Sequence, residues 1–308
     1  MQTTNASLIV NKLIIFGVGL IGGSCALALK ARNAVGKVVG IGRTRANLDD
    51  ALRGNMIDRA YTLDEDWTLE LRDADVVLLA VPVAQMEGLL KRILPAVSRD
   101  TVITDAGSTK QDVVAAARSA YSSCPKAAFA RFVPAHPIAG TEHSGAAAAF
   151  ATLYENKHVI VAPLAETDAD AVQKVVAMWQ TCGARTLTMP PEQHDRIFAA
   201  VSHLPHLLAF ALVAELAGRP EAETFFMHAG SGFRDFTRIA GSSPEMWRDI
   251  ALANRDALLE ELDRYQTHLN HMRDELKRDD GAALEARMKR ASEARRHWEK
   301  IFQNRGGK

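Results

Sequence analysis

The run Phe16-Gly17-Val18-Gly19-Leu20-Ile21-Gly22-Gly23-Ser24 comes directly after the apolar segment Leu13 to Ile15 and leads into the alanine-rich stretch Cys25 to Ala31. Few local patterns constrain a fold as tightly. A buried strand must turn sharply at the first glycine, leave bare backbone at the second and press a helix against a sheet at the third. Side chains there would block a ligand's approach or forbid the turn. The helix expected over about Gly19 to Ala31 points its unpaired N–H groups and the positive end of its dipole at the turn. An anion belongs there. The strand-turn-helix context makes it the pyrophosphate of a dinucleotide, held by Gly17, Gly19, Leu20, Ile21 and Gly22.

The remainder of the first half keeps a matching rhythm. Short apolar runs at Leu13 to Phe16, Lys37 to Ile41, Val76 to Val81, Val102 to Asp105, Phe132 to Ala135 and His158 to Ala162 read as buried parallel strands. Helical patterns around Arg45 to Leu52, Met86 to Leu94 and Lys110 to Ser119 read as crossovers. The alternation predicts an α/β chain whose N-terminal domain is a Rossmann-type doubly wound sheet. Ligands of such sheets lie beyond the carboxyl ends of the strands, so Val81 and Pro82 are expected to flank the cofactor. The second run ends in Gly42-Arg43-Thr44-Arg45, where an NAD-binding chain often places an acid for the ribose hydroxyls. Arg43 and Arg45, with Thr44 between them, suit a 2′-phosphate instead, which favours NADP over NAD. A solvated basic loop beside an NAD site is the alternative.

At 308 residues the chain exceeds what one core usually accommodates. Pro190-Pro191 marks the expected boundary between a dinucleotide-binding domain, 1–189, and an all-helical domain, 190–308. Helices are expected over Glu192 to Leu216, over Glu221 to Ala229, and from Pro244 past Leu269. The last carries Leu258, Leu262, Tyr265, Leu269, Met272 and Leu276 at three- and four-residue intervals, and Leu284, Met288, Ala291, Trp298 and Ile301 continue the device. A small helical domain has little interior for so many apolar faces, which predicts a homodimer made through this region. Packing back within one chain is the alternative.

Lys plus Arg and Asp plus Glu both number 37, and no basic stripe interleaved with aromatics occurs, so no nucleic-acid partner is expected. The three cysteines, Cys25, Cys124 and Cys182, fit neither a disulfide framework nor a zinc site. Without a secretory h-region or an apolar run of membrane-spanning length, no membrane partner and a cytoplasmic location are expected.

Two segments at strand ends concentrate polar residues: Asp105 to Lys110 and His136 to Gly145. His136 is the candidate base, because imidazole takes a proton near neutral pH at little cost. Ser108 is placed to orient it or to bond the same substrate hydroxyl. The helical half contributes Ser202-His203-Leu204-Pro205-His206 and Gly230 to Arg238. His203 and His206 lack further ligands at metal-binding spacing, so no metal site is expected. Arg238 reads as a bidentate clamp for a carboxylate, or else as an ion-pair partner of Asp235 or Asp249. These residues support an oxidoreductase acting on a hydroxyl-bearing anion. A dehydrogenase of another small hydroxy acid and a non-catalytic NADP-binding regulator remain as alternatives.

The same segments, with Phe233 to Trp247, closely resemble the prephenate and arogenate (cyclohexadienyl) dehydrogenases of tyrosine biosynthesis, from Leu13 to about Tyr265. The resemblance implies NAD(P)-dependent oxidative decarboxylation of prephenate to 4-hydroxyphenylpyruvate, of arogenate to tyrosine, or of both. It implies that His136 accepts the hydrogen bond of the ring hydroxyl, that Ser108 assists, and that Arg238 binds a substrate carboxylate. His206 then lies near the side-chain end, Glu142 is an acidic gate residue, and Thr141 and Trp247 border the same pocket. Loss of hydride and carbon dioxide creates an aromatic ring, so alignment and modest base assistance suffice. Tyrosine is a possible inhibitor at that pocket. Nothing in the tail Lys277 to Lys308 is long enough for a mutase module.

Overall fold

The computed structural model describes residues 8–141 and 143–304. The chain forms two compact units, the first ending at Arg255 and the second beginning at Asp256.

The first unit is built on a six-stranded, all-parallel sheet. Its strands are β1 (Val10–Phe16), β2 (Val35–Gly42), β3 (Arg59–Thr62), β4 (Val76–Leu79), β5 (Val102–Asp105) and β6 (Phe132–Val133), in the order β3-β2-β1-β4-β5-β6. Alternate residues go to opposite faces, as the twofold period of a strand requires. Leu13, Ile15, Val76 and Leu78 enter one core, while Ile14, Phe16, Val77 and Leu79 enter the other. Both faces are therefore covered by helices. The first core receives α1 (Leu20–Ala31), α2 (Arg45–Arg53) and the later α7 (Ala169–Thr181) through Leu29, Leu48, Val175 and Trp179. The second receives α3 (Thr68–Leu71), α4 (Met86–Ile93), α5 (Gln111–Tyr121) and α6 (Lys126–Phe129) through Leu71, Leu90, Val113 and Phe129. This is the expected doubly wound, Rossmann-like arrangement. The order reverses between β1 and β4, which puts the glycine turn at the point where such sheets open a crevice.

Three sequence expectations are corrected. His158 to Ala162 is not a strand of the parallel sheet. It forms β8 (His158–Val161) of a separate sheet, antiparallel to β7 (Ala135–Ile138) and parallel to β9 (Arg185–Thr188). The run Phe132 to Ala135 is likewise divided between the two sheets at Pro134, which has no N–H to offer a ladder. Its carbonyl instead accepts from Ala162 N at 2.8 Å, and the chain passes from one sheet to the other there. His136 consequently sits inside β7, paired with Ile160, rather than beyond a strand end.

Beyond β9 the chain is helical. Helix α8 (Pro191–Phe198), a π-helical turn (Ala199–His203) and α9 (Leu204–Ala217) run on continuously. Within these 27 residues, Pro191–Ala217, an 18-residue window reaches a mean hydropathy of 1.9, so one helix does meet membrane-spanning length and apolarity, against expectation. Core helices of soluble proteins pass the same test, and here the helix carries the buried polar residues His194, Asp195 and His203. Then come α10 (Ala222–Met227), α11 (Ser231–Thr237) and α12 (Pro244–Ala253). The helix expected to run from Pro244 past Leu269 stops at Ala253. Asn254 leaves helical geometry and spends its side chain on tertiary hydrogen bonds.

From Asp256 the second unit consists of the long helix α13 (Arg255–Lys277), all but its first residue, and α14 (Gly281–Asn304), joined by a turn in which Asp279 adopts φ 54°. Within it Arg287 grips Glu275 through Nε at 3.1 Å to both carboxylate oxygens. Leu269, Leu276, Met288 and Trp298 of the apolar stripes remain exposed in the single chain.

Candidate active site

The glycine turn assigns a separate task to each glycine. Gly17 has φ +91°, and a Cβ there would lie 2.2 Å from the Ala80 carbonyl oxygen, so β1 and the end of β4 approach too closely for any side chain. A Cβ on Gly22 would lie 2.4 Å from the Gly17 oxygen and 2.7 Å from Ile15, which is where α1 presses on the sheet. Around Gly19, by contrast, nothing lies within 4 Å of the equivalent position. Gly19 is the N-cap of α1 and supplies no side-chain cap, so the first N–H groups, at Leu20 and Ile21, face the open space. These residues fit a dinucleotide pyrophosphate. Val81 lies against the Gly17 turn, and Pro82 is the exposed residue before a short 3-10 turn, Val83–Gln85.

At the carboxyl end of β2, Arg43, Thr44 and Arg45 are all exposed, and Thr44 is the N-cap of α2. Arg45 is engaged by Asp49 at 3.0 Å and approached by Glu65 at 4.0 Å. Arg43 makes no hydrogen bond or ion pair among the described residues. Sequence reasoning missed Asn47, which donates to Val18 O at 2.7 Å and accepts from Ala146 N at 2.8 Å. It ties the glycine turn to the segment after Gly145. Tyr154, also missed, donates to Ile21 O at 2.6 Å, and Ser24 accepts from Phe150 N at 3.0 Å.

Beyond β5 the chain forms a buried polar knot. Asp105 and Lys110 are fully buried and paired; Lys110 Nζ also donates to Ala135 O at 2.7 Å, and Asp105 accepts from Ala135 N at 3.0 Å. Both ends of the residue preceding His136 are thereby fixed. His136 Nδ1 lies 2.8 Å from His194 Nε2, and His194 Nδ1 lies 2.7 Å from Asp195 Oδ1. Asp195 in turn accepts from the backbone N–H groups of Lys110 and Gln111, both at 2.8 Å, at the start of α5. Burial first, then the neighbouring His194, Lys110 and His203, push the His136 pKa well below its usual value. The ring is therefore a neutral base. Burial also lowers His194, partly offset by Asp195. Burial would raise the Asp195 carboxyl, but hydrogen bonds from His194 and the two amides hold it below the ordinary range. Sequence reading missed His194 and Asp195; the only signal was an adjacent acid and histidine in a helix's first turns.

Ser108 is half-buried in the loop between Asp105 and Lys110. His203 is buried, bonded to Asn254 Nδ2 at 3.1 Å, and pushed down to about 4, chiefly by burial. His206 stacks on Trp247, with ring centroids 3.5 Å apart, and donates Nδ1–H to Ser202 O at 2.9 Å. Burial lowers its pKa, and the positive charge of Arg238 lowers it further, so these two side chains sense each other. Arg238 opens the 3-10 turn Arg238–Gly241 that packs near α9. Asp235 is engaged by Arg234 at 3.2 Å and Asp249 by Arg248 at 2.6 Å. Thr141 is exposed and accepts from His143 N at 3.2 Å, while Glu142 lies outside the described residues. No three His, Cys, Asp or Glu side chains converge in a metal-binding cluster among the described residues.

A glycine-cradled crevice at the switch point of a parallel sheet, with a neutral, half-buried histidine base near the same edge and a helical second half, defines a Rossmann-like nicotinamide-dependent dehydrogenase. Residues 25–188 match the family model described as prephenate dehydrogenase, nucleotide-binding domain, and residues 190–290 match prephenate dehydrogenase, dimerization domain. The chain belongs to the prephenate/arogenate dehydrogenase family. It is 36% identical over 285 residues to the cyclohexadienyl dehydrogenase of Zymomonas mobilis, covering 92% of this chain and 94% of that protein. The crystal structure of Aquifex aeolicus prephenate dehydrogenase with hydroxyphenyl propionate and NAD+ superposes with a TM-score of 0.85 at 34% identity, covering 96% of this chain and 99% of that one. Synechocystis arogenate dehydrogenase gives a TM-score of 0.76 at 26% identity, covering 93% and 99%.

Proposed function

We propose that the protein catalyses NAD(P)-dependent oxidative decarboxylation of prephenate to 4-hydroxyphenylpyruvate, of arogenate to tyrosine, or of both. The observation that carries the reading is the neutral, desolvated His136 held within the same unit as the glycine cradle. When bound, the nicotinamide supplies the hydride acceptor. His136 takes up the hydrogen bond, and then the proton, of the ring hydroxyl through its free Nε2. Ser108 bonds the same hydroxyl. Arg238 binds a substrate carboxylate in bidentate fashion, with His206, Trp247, Thr141 and Glu142 bordering the side-chain end. Tyrosine, which keeps the product's ring, is proposed to compete for this pocket.

Gly17, Gly19, Leu20, Ile21 and Gly22 hold the pyrophosphate in this reading, and Val81 and Pro82 flank the cofactor. Arg43 favours NADP over NAD, because no acid stands at the end of β2 and its guanidinium is not committed to a neighbouring carboxylate. The exposed stripes of α13 and α14 and the family's dimerization domain support a homodimer. Cysteine usage supports a cytoplasmic location.

The test is reduced-cofactor absorbance with prephenate and arogenate, each with NAD and NADP. Turnover is expected with at least one pair, and its absence with all four overturns the reading. His136→Asn is expected to leave cofactor binding intact and lower kcat on the order of 10²- to 10³-fold. Arg43→Ala is expected to weaken NADP about 10- to 100-fold, the worth of a hydrogen bond to a charged group, with NAD unchanged. Equal loss of both cofactors would remove Arg43 from the 2′-phosphate.

A further inference from the structure

We infer that His194 and Asp195 are positioning residues for proton acceptance: with His136 they form a directional chain that fixes the reactive tautomer of that ring. This rests on the proposed function only for the identity of the proton donor. The direction is set by where the chain ends. Asp195 already receives two backbone N–H groups, and as a carboxylate it can only accept, so His194 must carry its proton on Nδ1. A neutral His194 then presents a lone pair at Nε2. At 2.8 Å from that atom, His136 must donate from Nδ1, which leaves its own Nε2 bare. An isolated imidazole chooses between tautomers; this one has no choice.

Neighbouring elements hold the chain in place. Lys110 and Asp105 fix both backbone groups of Ala135, one residue before His136. Asn254 donates to Asp195 O at 2.8 Å, and Phe198 packs edge-on against the His136 ring at 5.1 Å between centroids. The charged and titratable groups acting on the pair are Asp105, Lys110, Asp195 and His203. Lys110 opposes a positive charge on His136, as His194 and His203 would if protonated, whereas a neutral His194 offers only its Nε2 lone pair. The Nδ1 bond to His194, itself anchored on Asp195, is what favours the imidazolium that forms when His136 takes a proton. Removing it must lower the proton affinity of His136.

Two substitutions separate positioning from mere packing. In His194→Gln the amide oxygen can still accept from His136 Nδ1–H and the amide nitrogen can still donate to Asp195. In His194→Leu neither bond survives. Expected is a fall in kcat of about 10²-fold for the leucine variant and under about 10-fold for glutamine, with KM and cofactor affinity within about threefold of the parent. The acid limb of the kcat/KM profile should also move to lower pH by about 1 in the leucine variant. Equal losses in both variants, or an unmoved limb, would overturn the inference. Nitrogen-15 NMR of the histidines in the unmodified chain gives a readout free of turnover: His136 is expected to be protonated at Nδ1 and bare at Nε2. The opposite tautomer overturns the chain even if the enzyme is active. Should the parent protein oxidise neither cyclohexadienyl acid, the proposed function fails while the tautomer measurement still decides this inference.

Discussion

At the scale of single residues, Gly17 and Gly19 stand two positions apart and fail for opposite reasons. Alanine at Gly17 would keep a left-handed φ of +91° and drive its methyl into the Ala80 carbonyl. Strain of that kind costs about 1–3 kcal/mol before any clash is counted. Alanine at Gly19 meets nothing in the protein itself. Gly17→Ala is therefore expected to lower thermal stability measurably with or without ligand. Gly19→Ala should leave the free protein's melting temperature nearly unchanged while weakening the dinucleotide about 10- to 100-fold through lost phosphate hydrogen bonds. Calorimetric melting and cofactor titration of both variants check the contrast, and matching stability losses would contradict it. The glycine turn was legible because its whole meaning lies within a few consecutive residues. The hydrogen bonds of Asp195 were not: they reach back to Lys110 and Gln111, more than eighty positions away, and no local pattern announces such a pairing.

At the scale of elements, the parallel strands were legible from their apolar runs, but β3 was not. Arg59–Thr62 is a short, half-exposed edge strand with no apolar period to read. The second sheet was hidden for a related reason, since a buried run does not reveal which sheet buries it. More consequential is the π-helical turn Ala199–His203. In an unbroken α-helix about 900° of rotation would separate His194 from His203 and put them on opposite faces. The wider π turn rotates less per residue and brings them back towards one side, where Asn254 bonds both the Asp195 carbonyl and His203. Inserting an alanine after Ala200 adds a residue beyond the one the π turn absorbs and should swing everything beyond it by about 100°. His206 would then leave Trp247. The expected outcome is retained helical circular dichroism and cofactor binding with kcat lowered at least about 10²-fold, the scale of a misplaced active-site group. Full turnover in this variant would show that the register set at the π turn has no part in building the site.

Across the first unit, the two rims of the parallel sheet carry different duties. The carboxyl rim leaves space open and amides uncapped for a ligand. The amino rim is closed by Glu70, a buried carboxylate on α3 that meets Lys12 of β1 at 2.7 Å, Lys37 of β2 at 3.2 Å and Arg59 of β3 at 2.7 Å, with the Tyr61 hydroxyl at 3.0 Å. One anion thus staples three neighbouring strands. Burial would raise its pKa, but the hydrogen bonds from Lys12, Arg59, Lys37 and Tyr61 outweigh that and lower it from 4.5 to about 2. A carboxyl whose folded pKa is depressed stabilises the fold above its unfolded pKa and loses that contribution as pH falls towards the folded value. The window here runs from about 4.5 down to about 2. Glu70→Gln should accordingly be less stable than the parent protein at neutral pH, with the gap narrowing across that window until the two coincide near its lower end. Denaturant unfolding of both proteins at a series of pH values measures the gap directly. A difference that stayed constant from neutral pH to the bottom of the window would mean that Glu70 contributes through packing and not through its charge. Because the staple sits at the rim opposite the glycine turn, cofactor affinity measured in mild conditions should be the same in both proteins, which separates this loss of stability from a loss of function.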